Sequence, residues 1–227
     1  MATSPKLDDT AAREREFTHQ RALMVERHVA SRGIKDERIL QAMREVPRHM
    51  FVPTVVASKS YGAGALPIGA KQTISQPYIV ARMIELLELT GREKVLEIGT
   101  GTGYQAVVLS KLCAKVFSIE RINELALRAA QLIRDLKINN ASVKVFDGTY
   151  GWSDQAPFDR IIVAAAAPQV PEPLVQQLAR SGKMIIPIGS GNQQRLARIT
   201  RVGTAVQIED CGSAEFVPLV GRFGWKE

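Results

Sequence analysis

The segment "VLEIGTGTGYQA" sets Glu97, Gly99, Thr100, Gly101 and Gly103 at the point where an apolar run gives way to a helical one. Glycines at alternate positions let the backbone turn tightly and leave no Cβ between chain and ligand. In an open α/β sheet, such a turn at the carboxyl end of a strand is where ligands bind. Spacing separates the candidate ligands. A dinucleotide fingerprint, G-x-G-x-x-G, needs its third glycine where Tyr104 stands, and a phosphate loop needs G-x-x-x-x-G-K-[ST], which is absent. Glu120 ends "KVFSIE", about twenty residues beyond the first glycine, where a carboxylate can accept both ribose hydroxyls. Asp147-Gly148 ends "ASVKVFD" and, taken alone, reads equally as a turn. A second stretch, "LPIGAKQTISQPYIV", offers Thr73 and Ser75 just before a helix-like run. "SQP" there fits a helix N-cap with Pro77 pre-set for the first turn. A helix N-terminus also favours a bound anion, so local sequence leaves both roles of Ser75 open.

These residues need a framework to hold them together. Residues 1–12 are polar and small and are expected to be disordered. Residues 13–76 are expected to form a helical and loop cap that contributes to the substrate site. An amphipathic pattern covers residues 12–30, and Ile39, Leu40, Met43 and Val46 continue helical spacing up to Pro47. Residues 77–227 are expected to form the ligand-binding domain. There, short β-branched runs ("KVLEIG", "KVFSIE", "ASVKVFD", "FDRIIVAAA", "GKMIIPIG") alternate with helical ones. That alternation predicts an α/β fold with a doubly wound, mostly parallel sheet, Rossmann-like in class. Strands apolar nearly throughout agree with helices on both faces. The tail "QRLARITRVGTAVQIEDC" reads as two alternating runs joined at Val202-Gly203-Thr204, an antiparallel addition at one edge.

Bulk properties narrow the function classes. The 227 residues, 45% hydrophobic and 23% charged, suit one large globular domain. No apolar run approaches the roughly 20 residues of a membrane span, and the start lacks a secretory core, so a cytoplasmic location and no membrane partner are expected. Cys113 and Cys211 stand far apart and supply neither a disulfide framework nor a metal site; no metal is expected. The net charge of +7 comes from basic residues mixed with acids, without a basic run or interleaved aromatics. No dedicated nucleic-acid groove follows from it. Action as a monomer is expected.

The E-x-G-x-G-x-G spacing resembles the first motif of class I S-adenosylmethionine-dependent methyltransferases. Together, "LPIGAKQTISQPYIVARMIELLEL", "VLEIGTGTGYQAVVLSKL", "FDRIIVAAAAPQVPEPLVQQL" and "GKMIIPIG" look like the bacterial protein-L-isoaspartate O-methyltransferase family. The resemblance runs over residues 38–219, and "QTISQP" is specific to that family among methyltransferases. It implies S-adenosyl-L-methionine as cofactor, held by Glu97, Gly99, Thr100, Gly101, Gly103, Glu120, Asp147 and Gly148, with Asp147 at the adenine amino group. It implies isoaspartyl proteins and peptides as partners, Ser75 in the catalytic role, Thr73, Leu66 and Val217 at the substrate, and the segment Val217 to Leu219 close to the bound peptide. For "LVGRFGWKE" it implies nothing.

The chemistry fits these residues. An acceptor carboxylate, with a pKa near ~4, is already ionised at pH 7 and can attack a sulfonium methyl without a base. Alignment and an orienting donor suffice. His19, His28 and His49 all precede the cofactor domain and form no triad. Two alternatives stay open. One is a class I methyltransferase acting on RNA, DNA or another small acceptor; amino methylation of bases commonly uses [DN]-P-P-[YFW] after the fourth strand, where this chain reads Ala164-Ala165-Ala166-Ala167-Pro168. A non-catalytic protein that binds S-adenosylmethionine would have no need of "QTISQP".

Overall fold

The computed structural model describes residues 7–226. α1 (Leu7–His28) and α2 (Glu37–Glu45) build the N-terminal cap. The Asp36 carboxylate accepts the Arg38 amide (2.9 Å) and so caps α2, which buries Ile39, Leu40, Ala42 and Met43 along one stripe. Helix α1 begins at Leu7, so residues 7–12 are ordered as helix where disorder was expected. Phe17, stacked on His49 at 4.1 Å between ring centroids, docks the helix. Propagation back through Ala11, Ala12, Arg13 and Glu14 then adds one hydrogen bond per residue in good helix formers. For residues 1–6 the expectation lies outside the described residues.

Tight helical turns over Arg48–Phe51 and Thr54–Lys59 lead to a hairpin of β1 (Leu66–Gly69) and β2 (Gln72–Ile74), with Leu66 opposite Ile74. Its turn residues, Ala70 and Lys71, both have positive φ (50° and 57°), the backbone of a type I′ turn. α3 (Pro77–Leu87) follows, with Pro77 in the first turn, where no partner for its missing N–H is needed. Strands and helices then alternate: β3 (Lys94–Ile98), α4 (Tyr104–Ser110), β4 (Lys115–Glu120), α5 (Asn123–Asp135), β5 (Ala141–Val145), β6 (Phe158–Val163), α6 (Glu172–Gln176) and β7 (Leu178–Ile188). β8 (Arg195–Val202) and β9 (Ala205–Ser213) complete the chain's strands.

The sheet order is β5-β4-β3-β6-β7-β8-β9, parallel from β5 to β7 and antiparallel beyond. This is the doubly wound sheet with an antiparallel edge that the sequence predicts. Successive side chains of each strand enter opposite layers. Val95, Val116, Ile162 and Ile185 join the cluster containing residues of α3 and α4, while Leu96, Phe117, Ile161 and Met184 join the other. Each such side chain taken from water contributes about 1.5–3 kcal/mol, so both layers hold the strand ends in place. Strand order reverses beside β3, which opens a crevice at the carboxyl ends of β3, β4 and β6. Among the described residues no helix is long and apolar enough to cross a membrane.

Candidate active site

After β3 the chain turns through Gly99, Thr100 and Gly101, which line an open-mouthed cleft of about 890 Å³, solvent at its mouth included. Gly103 caps α4 and does not line it. A Cβ at Gly103 would stand 3.3 Å from the Ala129 Cβ, so this glycine lets α4 pack closely on α5. Glu97 lies beneath the loop, fully buried. It accepts from Ser118 Oγ (2.5 Å) and Gln105 Nε2 (3.1 Å), and the Ser118 hydroxyl also meets Thr100 Oγ1 at 2.5 Å. Burial pushes the Glu97 carboxyl up to about 8 despite those donors, and nearby Glu120 adds to the rise. Glu97 therefore braces the loop from below and does not face the cleft.

Glu120 does face it. Its Oε2 accepts the Gly101 amide (2.8 Å) and its Oε1 the Ile122 amide (2.9 Å), so the carboxylate is fixed by backbone donors from the two flanking loops. Each oxygen keeps a further acceptor site for a ligand hydroxyl. Gly148 lines the cleft and Asp147 does not. Asp147 Oδ1 accepts from the Thr149 amide (2.9 Å) and hydroxyl (2.7 Å), and Oδ2 accepts the Arg222 amide (2.8 Å). Its carboxylate therefore ties down the segment after β9 in place of pointing at a ligand. At Gly148 no side chain fits, because a Cβ would lie 2.4 Å from Ile98 Cγ2.

That later segment walls the cleft. The Ala166 amide donates to the Val217 carbonyl (2.8 Å), while the Leu219 amide (2.8 Å) and the Trp225 indole (2.9 Å) both donate to the Ala166 carbonyl. Val217, Pro218, Leu219 and Val220 thereby line the cleft beside Ala164 and Ala165. The resemblance places Val217 to Leu219 near the acceptor; Val220 was not foreseen, and the apolar tail carries no motif that singles it out.

The remaining wall is the hairpin link. Thr73 and Ser75 line the cleft together with Ile68. Leu66 does not; it packs against the core cluster. The N-cap of α3 is Gln76, which makes no side-chain cap bond, so Ser75 is not the helix cap. Tyr104, immediately after Gly103, is a further wall residue, legible only as a position and not as a type.

S-adenosylmethionine fits this arrangement. Glu120 offers acceptors suited to a ribose diol, and positions 99, 101 and 148 present backbone without side chains. The sequence profile of the family described as protein-L-isoaspartate(D-aspartate) O-methyltransferase matches residues 19–224. A protein-L-isoaspartate O-methyltransferase of Geobacter metallireducens is 51% identical over 211 residues, 92% of this chain and 97% of that protein. The chain belongs to the protein-L-isoaspartate O-methyltransferase family. Another member, protein-L-isoaspartate O-methyltransferase 1 of Syntrophobacter fumaroxidans, is 50% identical over 210 residues, covering 92% of this chain and 98% of its own. A solved protein-L-isoaspartate O-methyltransferase superposes with a TM-score of 0.80 at 26% identity, over 91% of this chain and 67% of that one. A Plasmodium falciparum structure assigned to the same family, in complex with S-adenosyl-L-homocysteine, gives 0.75 at 25% identity, over 87% and 96%.

Proposed function

We propose that the chain transfers a methyl group from S-adenosyl-L-methionine to the α-carboxylate of L-isoaspartyl residues in proteins and peptides, the step that initiates repair of this lesion. The observation that carries the reading is that the glycine loop, Glu120, Thr73 and Ser75 line one cleft. When bound, the cofactor supplies an electrophilic methyl on a sulfonium. Glu120 holds the ribose hydroxyls, and Gly99, Gly101 and Gly148 admit the ligand at backbone distance. Ser75 donates to one oxygen of the acceptor carboxylate and leaves the other free to attack, with Thr73 beside it. The apolar wall at Val217 and Leu219 limits water around the reacting groups.

The acceptor arrives ionised, with a pKa near ~4, so no side chain has to remove a proton. The cleft lining agrees, since it holds no histidine. His49 instead stacks on Phe17 (4.1 Å) and meets the Tyr61 hydroxyl through Nδ1 (2.7 Å). Both cysteines are free thiols, in keeping with a reducing cytoplasm as its setting. The test is transfer of labelled methyl to a peptide carrying L-isoaspartate, run beside the same peptide with ordinary aspartate. Base-labile label on the first alone is the expected result; label on neither peptide, or on both alike, overturns the reading.

A further inference from the structure

Arg48 is wholly buried, with 0% of its surface exposed, a rare position for a guanidinium. Its Nε donates to the Ser60 carbonyl (2.9 Å) and its Nη2 to the Ser75 carbonyl (2.7 Å), while Nη1 has no hydrogen-bond partner. Its charge lies 4.8 Å from the centroid of the Tyr104 ring, whose hydroxyl is buried beside it. Among the described residues Arg48 makes no ion pair with a carboxylate. Tyr104 and Ser75 are both cleft walls. A positive charge that arginine does not shed therefore stands directly behind two residues of the site.

A buried cation without a counter-ion carries a large desolvation cost, and an anion placed close by in the same low-dielectric surroundings relieves it. We propose that Arg48 is a positioning residue whose counter-charge is the acceptor carboxylate: it fixes Ser75 through the backbone carbonyl and makes that end of the cleft attractive to an anion. The inference rests on the reading of Ser75 as the carboxylate donor. It differs from a plain brace between residues 60 and 75, which needs the two hydrogen bonds and has no use for the charge.

Arg48→Met and Arg48→Lys, compared with the wild-type chain, separate the two. The measurements are KM and kcat on an isoaspartyl peptide, the Kd of S-adenosyl-L-homocysteine by calorimetry, and Tm. Arg48→Met is expected to raise the peptide KM about 10- to 100-fold while the Kd stays within about threefold. Arg48→Lys keeps the charge but loses the two-carbonyl fork, so KM should return to within about threefold of wild type while kcat falls about tenfold. A lowered Tm in both variants with unchanged KM overturns the proposal in favour of a brace. A weakened Kd with unchanged KM overturns it too, by assigning the charge to the cofactor. Where Arg48→Met does not fold, folded Arg48→Lys decides: a KM raised tenfold or more overturns the proposal. Wild-type turnover on the isoaspartyl peptide is the control, and its absence would count against the function itself and not against Arg48.

Discussion

At the scale of single residues, Ser75 is the sharpest test. Its neighbour Gln76 heads α3 without a side-chain cap, so removing the Ser75 hydroxyl takes nothing from the helix. Ser75→Ala is expected to lower turnover about 10- to 1000-fold, the cost of one positioned donor, with Tm and S-adenosyl-L-homocysteine affinity near wild type. Full turnover with a lowered Tm would return the residue to a structural role and make Thr73 the next candidate. Residue types were readable where chemistry demands them: the glycines at 99 and 101, and the acid at 120. Side-chain direction was not. Glu97 and Asp147 stand at the strand ends foreseen for them, yet Glu97 turns to Ser118, 21 positions away, and Asp147 to Arg222, 75 positions away. Spacing along a strand places a residue; partners distant in sequence decide where its side chain goes.

At the scale of elements, the β1–β2 hairpin and the segment after β9 wall one side of the cleft, and as secondary structure both were the least legible. The hairpin turns on Ala70-Lys71, with neither the Asn nor the Gly that marks a type I′ turn in sequence. The final segment has no period, because its order comes from hydrogen bonds to Ala166 and Asp147 together with single anchors, Leu219 in the core and the Phe223 ring against Tyr150. Gly221 is where that order is most exposed to perturbation. A Cβ there would lie 2.2 Å from Asp147 Oδ1, so one of the two must move. Gly221→Ala is expected to lose about 1–3 kcal/mol in urea unfolding and to weaken turnover, since adjacent Val220 is part of the wall. Gly64→Ala, with nothing within 4 Å of the new Cβ, is the matched control and should change neither. Equal behaviour of the two variants would show that the segment is not held through Asp147.

At the scale of the whole molecule, the doubly wound sheet was legible because strand and helix periods alternate cleanly from β3 to β7, and burial on both faces left apolar strands. The same deep burial gives a pH signature. The folded Glu97 carboxyl titrates at about 8, above the unfolded value near ~4.3, so the folded chain holds a proton that the unfolded chain releases. Its contribution to stability is complete below the unfolded value and is lost as pH rises through the folded one. Thermal melts from about pH 5 to about pH 8 should therefore show wild-type Tm falling relative to Glu97→Gln, whose amide does not titrate. Parallel curves would mean that Glu97 is ionised throughout. The cleft itself is assembled from two inheritances. The methyl-donor side belongs to the strand ends of β3, β4 and β5, whereas the acceptor side belongs to the β1–β2 hairpin link and residues 217–220, outside the parallel core. On the proposed reading, acceptor choice is written in these two short stretches, which are stitched to the donor side through Ala166 and Asp147 and so cannot be exchanged without regard to it.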